Sequence, residues 1–391
     1  MKLNLDLILS YPDVYKNILE KDYTITKFPN ISVCIMVKNE SRCIKRCIES
    51  IYQLSDEIII VDTGSTDNTI EIVSSYSKTR IFKKYWNDDF SEIRNFMIKN
   101  AKNEWIFQID ADEYINEKDI SNYKEIISIL DVANITPKVV SPKILDYDNN
   151  ETYSTFRIFK KEPKLKYHGL IHEELRYNNT TIFPTISIDL AINHDGYRPK
   201  IICDKDKYSR NYRLLKKMIQ IEPRNIRWYF FLVREALLFN EKSKIIEKYI
   251  EQALDITSEN NEYKAGILIK YIELKLDSDP NFALDIINKY INIFPNCIDF
   301  IYYKLLLASR NAFEIVSSEN KNSINELREI DNQYSFIDSN GSHIFEVLGW
   351  NYFLLGDLEI AQFFFKQIKN PNIQKSVNGK QEFIKKFLEG E

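Results

Sequence analysis

Between Ile31 and Ile109, short apolar runs alternate with stretches of helical periodicity, and no other feature of the chain limits its fold as much. Ile31 to Val37 reads as a buried strand. Ser41 to Tyr52 reads as a helix, because Ile44, Cys47, Ile48 and Ile51 recur on one face. Glu57 to Val61 is a second strand, and Asp67 to Tyr76 a second helix entered through the capping residues Ser65, Thr66 and Asp67. Arg80 to Lys84 then reads as a short strand, Phe90 to Ala101 as a helix and Trp105 to Ile109 as a strand. Apolar strands that alternate with helices belong to a parallel sheet covered on both faces.

Polar residues gather where these strands end. Asn39 and Glu40 follow the first, Asp62 ends the second, Trp86 to Asp89 follow the third, and Asp110 and Asp112 close the fourth. Open α/β sheets bind ligands at the carboxyl ends of their strands. Taken singly, Asn39, Glu40 and Asp62 could equally be turn or cap residues. In an extended strand Asp110 and Asp112 share one face while Ala111 takes the other. Two acids at the mouth of a buried strand need a positive partner unless they simply face water. A divalent cation carrying a diphosphate would serve, since carboxylate oxygens suit magnesium and manganese. Neither GxGxxG nor GxxxxGK[ST] occurs, which counts against dinucleotide oxidoreductases and P-loop NTPases.

The chain has 391 residues, enough for two or three domains, and only 9 glycines, which favours long helices over a loop-rich fold. A net charge of −4 argues against a protein that coats nucleic acid. Five cysteines (Cys34, Cys43, Cys47, Cys203 and Cys297) form no short-spaced frame of pairs, so reduced thiols and a cytoplasmic location are expected. Asp6 interrupts the early apolar run, so no secretory signal is expected, and no run approaches the roughly 18–20 residues of a membrane span.

Three motifs resemble the family 2 glycosyltransferases of GT-A fold: Val37-Lys38-Asn39-Glu40, Ile60 to Thr69, and Ile109-Asp110-Ala111-Asp112-Glu113. The resemblance implies donor-binding roles for Val37, Asn39, Glu40, Asp62, Asp110 and Ala111. Glu40 and Asp62 would hold the nucleoside of a sugar nucleotide. The Asp110-Ala111-Asp112 pair of acids would reach its ribose and, through a metal, Mg2+ or Mn2+, the diphosphate, with Asp110 orienting ribose and metal and Asp112 holding the metal. Tyr85 to Ser91, Arg94-Asn95, Tyr167-His168-Gly169, Ile171 to Glu174 and His194-Asp195-Gly196-Tyr197 are similar to the sublancin-type (glycocin) peptide glycosyltransferases. That likeness implies a UDP-sugar donor, typically UDP-glucose, and as partner a ribosomally made bacteriocin precursor accepting on Cys or Ser. It makes His194 a third protein ligand to the donor metal, folding back beside Asp112, and Glu173 the base, with Glu174 as rival. Arg94 is a candidate phosphate contact; its plain alternative is a charge on a helix surface. The same motifs occur in glucosyltransferases of cell-envelope polysaccharide assembly, which is the competing reading.

Residues 137 to 194 leave strict alternation; Val139 to Pro142, Thr155 to Phe159 and Ile186 to Ile192 read as strands. His168 and His172 have the spacing of a zinc helix, but Gly169 and the strand-rich setting speak against one. After Pro199 amphipathic helices dominate, and Leu348-Gly349-Trp350, Tyr352, Gly356-Asp357, Ala361 and Phe365 fit a tetratricopeptide helix pair. The expected architecture is a short helical extension over 1–30, a Rossmann-like, mostly parallel GT-A domain over 31–200, and an all-α repeat domain over 201–391. Such repeats bind peptides, pair two copies of a chain, or only buttress the catalytic domain.

Overall fold

A computed structural model describes residues 7–16, 27–146, 148, 150–152, 156–194, 207–256, 261–310, 313–331 and 334–389. Cys203, Asp195-Gly196-Tyr197 and Pro199 lie outside the described residues. The chain divides into two compact units, one of Met1–Tyr147 with Glu151–Asp206, the other of Asp148–Asn150 with Lys207–Glu391.

The first unit is built on β2 (Ile31–Val37), β3 (Glu57–Asp62), β4 (Thr79–Lys83) and β5 (Trp105–Gln108), with α1 (Ile44–Ile51), α2 (Thr69–Ser74) and α3 (Phe90–Asn100) between them. All of its strand pairs in the order β5-β2-β3-β4 are parallel. Past β5 the sheet changes direction. β9 (Ile158–Lys160) lies between β5 and β7 (Val139–Leu145), antiparallel to both. β12 (Ile186–His194) then runs parallel to β7, and β6 (Glu113–Ile115) pairs antiparallel with the end of β12. The sheet is therefore mixed, its parallel pairs flanking one reversed strand. No helix separates β7 from β9 among the described residues, and a return without a crossover helix gives an antiparallel neighbour.

Strands β2, β3 and β5 have both faces buried, as their apolar runs demand, whereas β4 is only half-buried. Val33, Ile35, Val37, Ile58, Ile60 and Phe107 pack with Ile44, Ile48 and Ile51 of α1 on one face. Cys34, Ile59, Val61 and Ile106 pack with Ile93 and Met97 of α3 on the other. The period of two in the side chains thus separates two cores across one sheet. The expected helical lead-in differs over its described residues: Ile8–Ser10 forms strand β1, paired antiparallel with β12, followed by a single 3-10 turn at Asp13–Tyr15.

The second unit contains ten helices among the described residues, from α5 (Lys207–Ile221) to α14 (Pro371–Glu389), and no named strand. Helices α6 (Ile226–Leu238), α8 (Glu262–Lys275), α10 (Asp299–Arg310) and α12 (Ser342–Leu354) pack in series, each on the next. Each also packs on the helix that follows it, as in a stack of helix pairs. Small residues let these helices approach. A Cβ on Gly349 would drive into the Phe365 ring, and one on Gly266 would meet the Phe230 ring at 2.5 Å.

Candidate active site

Two loops, after β2 and after β3, are tied together by the polar residues of their motifs. Asn39 takes a left-handed backbone (φ 57°) and its amide donates to Ser65 Oγ at 3.0 Å. Its side-chain oxygen accepts from the Thr66 amide at 2.7 Å. The Glu40 amide donates to Thr69 Oγ1 at 2.8 Å, and the Ser41 amide to Asp67 Oδ2 at 3.1 Å. Asp62, buried, uses Oδ1 to accept from the Gly64 and Ser65 amides at 3.3 and 2.8 Å. Gly64 is required there, because its φ of 113° is closed to other residues at ordinary cost. Burial works against the Asp67 carboxylate, but hydrogen bonds from Thr69 and Ser41 outweigh it and hold its pKa well below the usual range. Asn39 and Asp67 thus shape the loops. The Val37 carbonyl accepts from Thr63, and the half-buried Glu40 carboxylate lies 3.4 Å from Cys43 Sγ.

The second half of the site is the turn between β5 and β6. Asp110 accepts from two arginines, Arg94 Nη2 at Oδ1 and Arg157 Nη2 at Oδ2, both at 3.0 Å. Arg157 Nη2 also donates to Glu113 Oε1 at 2.6 Å, and Glu113 Oε2 accepts the Asp110 amide at 2.8 Å. Burial opposes charge on Asp110, yet the two guanidiniums win and its carboxyl stays ionised far below the usual range. Glu113 differs: burial dominates over its arginine and pushes it up to about 7. Ala111 is buried under the turn.

Asp112 looks elsewhere. Its Oδ2 stands 3.4 Å from His194 Nε2, and both side chains are 15% exposed. Antiparallel pairing of β6 with β12 creates this meeting, since His194 is the register partner of Glu113. Burial lowers the pKa of His194, but the hydrogen bond and charge of Asp112 reverse the sign and raise it. One oxygen and one nitrogen facing each other suit a divalent cation whose other ligands come from a diphosphate and water. No cluster of three or more His, Cys, Asp or Glu able to hold a metal occurs among the described residues.

Arg94 is only 6% exposed, so it is not a surface charge. Its Nε donates to Glu173 Oε1, Nη2 to Asp110, and Nη1 to Gln108 Oε1 at 3.5 Å, with the Tyr167 ring 5.5 Å away. Its guanidinium thus faces protein acceptors, where the sequence suggests a phosphate. Asn95, the next residue, clamps the Tyr167 backbone from both sides, donating to its carbonyl at 2.8 Å and accepting its amide at 2.9 Å. That clamp fixes β10 (Leu165–His168), from which the chain turns through Gly169 and His172 (φ 48°) to Glu173. Glu174 begins β11 (Glu174–Tyr177) and pairs with Arg176 at 2.8 Å. His168 ends a strand and His172 sits in a turn, so neither lies on a helix. Buried Cys34, Cys43, Cys47 and Cys297 are free thiols.

The family model of glycosyl transferase family 2 matches residues 32–197. SunS, the SPbeta prophage-derived glycosyltransferase of Bacillus subtilis strain 168, is 31% identical over 368 residues, spanning 91% of this chain and 84% of that protein. The chain belongs to glycosyl transferase family 2. A TPR repeat-containing protein of Synechococcus elongatus is 31% identical over 147 residues, 37% of this chain and 34% of that protein. The crystal structure of S. aureus TarS 1-349 aligns over 76% of this chain and 89% of that one at 15% identity, with a TM-score of 0.35.

Arg157, which holds Asp110, is not singled out by the sequence. It stands one residue ahead of β9, and its carbonyl accepts the Gln108 amide at 2.8 Å. An isolated arginine before a short apolar run has no periodicity to mark it. Only the antiparallel pairing of β9 with β5 carries it to Asp110. As a glycosyltransferase the protein thus presents two acids of unequal character: Asp110, locked between arginines, and Asp112, turned to a histidine.

Proposed function

We propose that this glycosyltransferase moves a hexose, glucose from UDP-glucose, onto a Cys or Ser side chain of a ribosomally made bacteriocin precursor peptide, with inversion at the anomeric carbon. The observation that carries the reading is the convergence of Asp110, Asp112 and His194 at the carboxyl end of the sheet, in a chain alike to SunS over most of its length. Asp62 and Glu40, on the loops after β3 and β2, bind the nucleoside, with Val37, Asn39 and Ala111 shaping its walls. Asp110 accepts a ribose hydroxyl. Asp112 and His194 hold Mg2+ or Mn2+, which when bound neutralises charge on the departing diphosphate. Attack with inversion needs a base on the acceptor side, and Glu173 supplies it, oriented by Arg94. A cysteine acceptor needs less help than serine, because a free thiol with a pKa of about 8.5 is partly ionised near neutrality. The helical repeats hold the peptide or pair two copies of the chain, and the enzyme works in the cytoplasm. Among the described residues no helix is long and apolar enough to cross a membrane.

The test is mass spectrometry of a cysteine- and serine-bearing precursor peptide incubated with the protein, a series of UDP-sugars and Mg2+ or Mn2+. One added hexose on Cys or Ser is expected, lost on chelation and in Asp112→Ala. Transfer at full rate in excess chelator would remove the metal role. Transfer to a cell-envelope polysaccharide and to no peptide would move the protein to envelope polysaccharide assembly.

A further inference from the structure

The two acids of the Asp110-Ala111-Asp112 motif are treated differently by the chain around them. Asp110 has one arginine on each carboxylate oxygen, at 3.0 Å in both cases. Two donors from different elements, α3 and the residue before β9, stop the carboxylate from rotating. About a third of its side chain (33%) is nonetheless exposed, so it can still accept a hydroxyl. Asp112 faces His194 instead. A divalent cation at Asp110 would meet two guanidiniums at contact distance, and like charges so close repel strongly where water is scarce. At Asp112 it would meet an imidazole, which can ligate it.

Arg157 completes this arrangement from a single nitrogen. Its Nη2 bridges Asp110 Oδ2 and Glu113 Oε1, while Glu113 Oε2 accepts the Asp110 amide. The side chain and the backbone of Asp110 are thus fixed by one connected set of bonds. We infer that Arg157 is a positioning residue of the donor site: it fixes Asp110 to receive a donor hydroxyl and, together with Arg94, keeps the cation on Asp112 and His194. The inference rests on the nucleotide-sugar reading above and divides labour within that site.

The test is titration calorimetry of the full-length protein, without acceptor or turnover, using UDP and Mn2+ as separate probes. Arg157→Met leaves two carboxylates short of a partner and can fail to fold. Arg157→Met/Glu113→Gln removes the second charge with it, and Gln can still accept the Asp110 amide. A lost charge-assisted hydrogen bond is worth about tenfold in affinity. The double variant should therefore bind UDP about tenfold more weakly and raise KM for the donor by the same factor, with kcat changed less. Its Mn2+ affinity should equal or exceed that of the wild type. Arg157→Lys, which restores a charge, should recover most of the UDP affinity. Asp110→Asn should weaken UDP and spare Mn2+. A folded double variant with unchanged UDP affinity and donor KM overturns the inference. So does an Asp110→Asn protein that loses Mn2+ and keeps UDP. A wild type that binds no UDP defeats the donor reading itself, a result distinct from both.

Discussion

Replacing Arg94 with methionine should destabilise the first unit by about 3–5 kcal/mol, the cost of breaking a buried ion pair from one side. The residue is 6% exposed and serves three acceptors: Glu173, Asp110 and Gln108. Methionine keeps most of the packing volume and removes every donor. Glu173, with a side chain 10% exposed, then loses its ion pair with Arg94, whereas Asp110 is 33% exposed and keeps Arg157. Most of the loss should therefore come from Glu173, and the total should lie toward the lower end of the range. It is still a large share of the roughly 5–15 kcal/mol that holds a domain folded. Hydrogen exchange under mild denaturant reads the two units separately, so amides of α3 and β5 can be followed with those of α8 as an internal control. Arg94→Met/Glu173→Gln removes the stranded charge and should recover about 1–2 kcal/mol, since a neutral side chain is far cheaper to bury. If the single variant stays within about 1 kcal/mol of the wild type, or the second substitution recovers nothing, the ion network does not hold this unit together.

Glu173→Gln should slow transfer to serine by about 10²–10⁴-fold, the usual worth of general-base assistance, with UDP affinity nearly unchanged. For a cysteine acceptor the loss should shrink as pH rises toward the thiol pKa, and Glu174→Gln, whose parent pairs with Arg176, should be milder. Rate against pH with paired Ser and Cys peptides decides it, and a dead Glu174→Gln with an active Glu173→Gln would move the base by one residue. Asp67 has a folded pKa below its unfolded value of about 3.9, so it stabilises the fold above that pH and the contribution fades as pH falls through the depressed value. Acid unfolding of Asp67→Asn should accordingly lose part of its slope below pH ~4, and an unchanged acid limb would show that the loop hydrogen bonds do not favour the charged form.

The layout around Ile31–Gln108 was legible because β2, β3 and β5 are buried on both faces and so are written as apolar runs, with helices of clear period between them. Ile31–Val37, Glu57–Asp62 and Phe90–Asn100 appear within a residue of where the pattern puts them. The reversal of β9 was not legible, since a strand of three residues carries no sign of direction. Asp110 and Asp112 could be singled out at a strand end, but spacing alone made them equivalent. Their difference arises from Arg94, Arg157 and His194, which come from three separate segments and meet only when the sheet closes. Arg94 shows the same limit: one arginine in a helix reads the same whether it meets a phosphate, water or Glu173. The N-terminal segment went astray for a simpler reason. Ile8–Ser10 is an edge strand of three residues, too short for its alternation to be told from a turn of helix.

The small size of β9 bears on how this enzyme can change. Ile158 and Phe159 point into opposite cores, both fully buried. Sliding β9 by one residue would exchange those faces and turn Arg157 away from Asp110, because every side chain in a strand switches sides together. Insertions and deletions between Thr152 and Arg157 are therefore neutral to the chemistry only while Ile158 stays opposite Phe107 and Val140. Length can drift freely in that link, whereas phase cannot. A variant that gained one residue after Ile158 would keep every acid of the donor site and still lose the frame that tells one acid from the other.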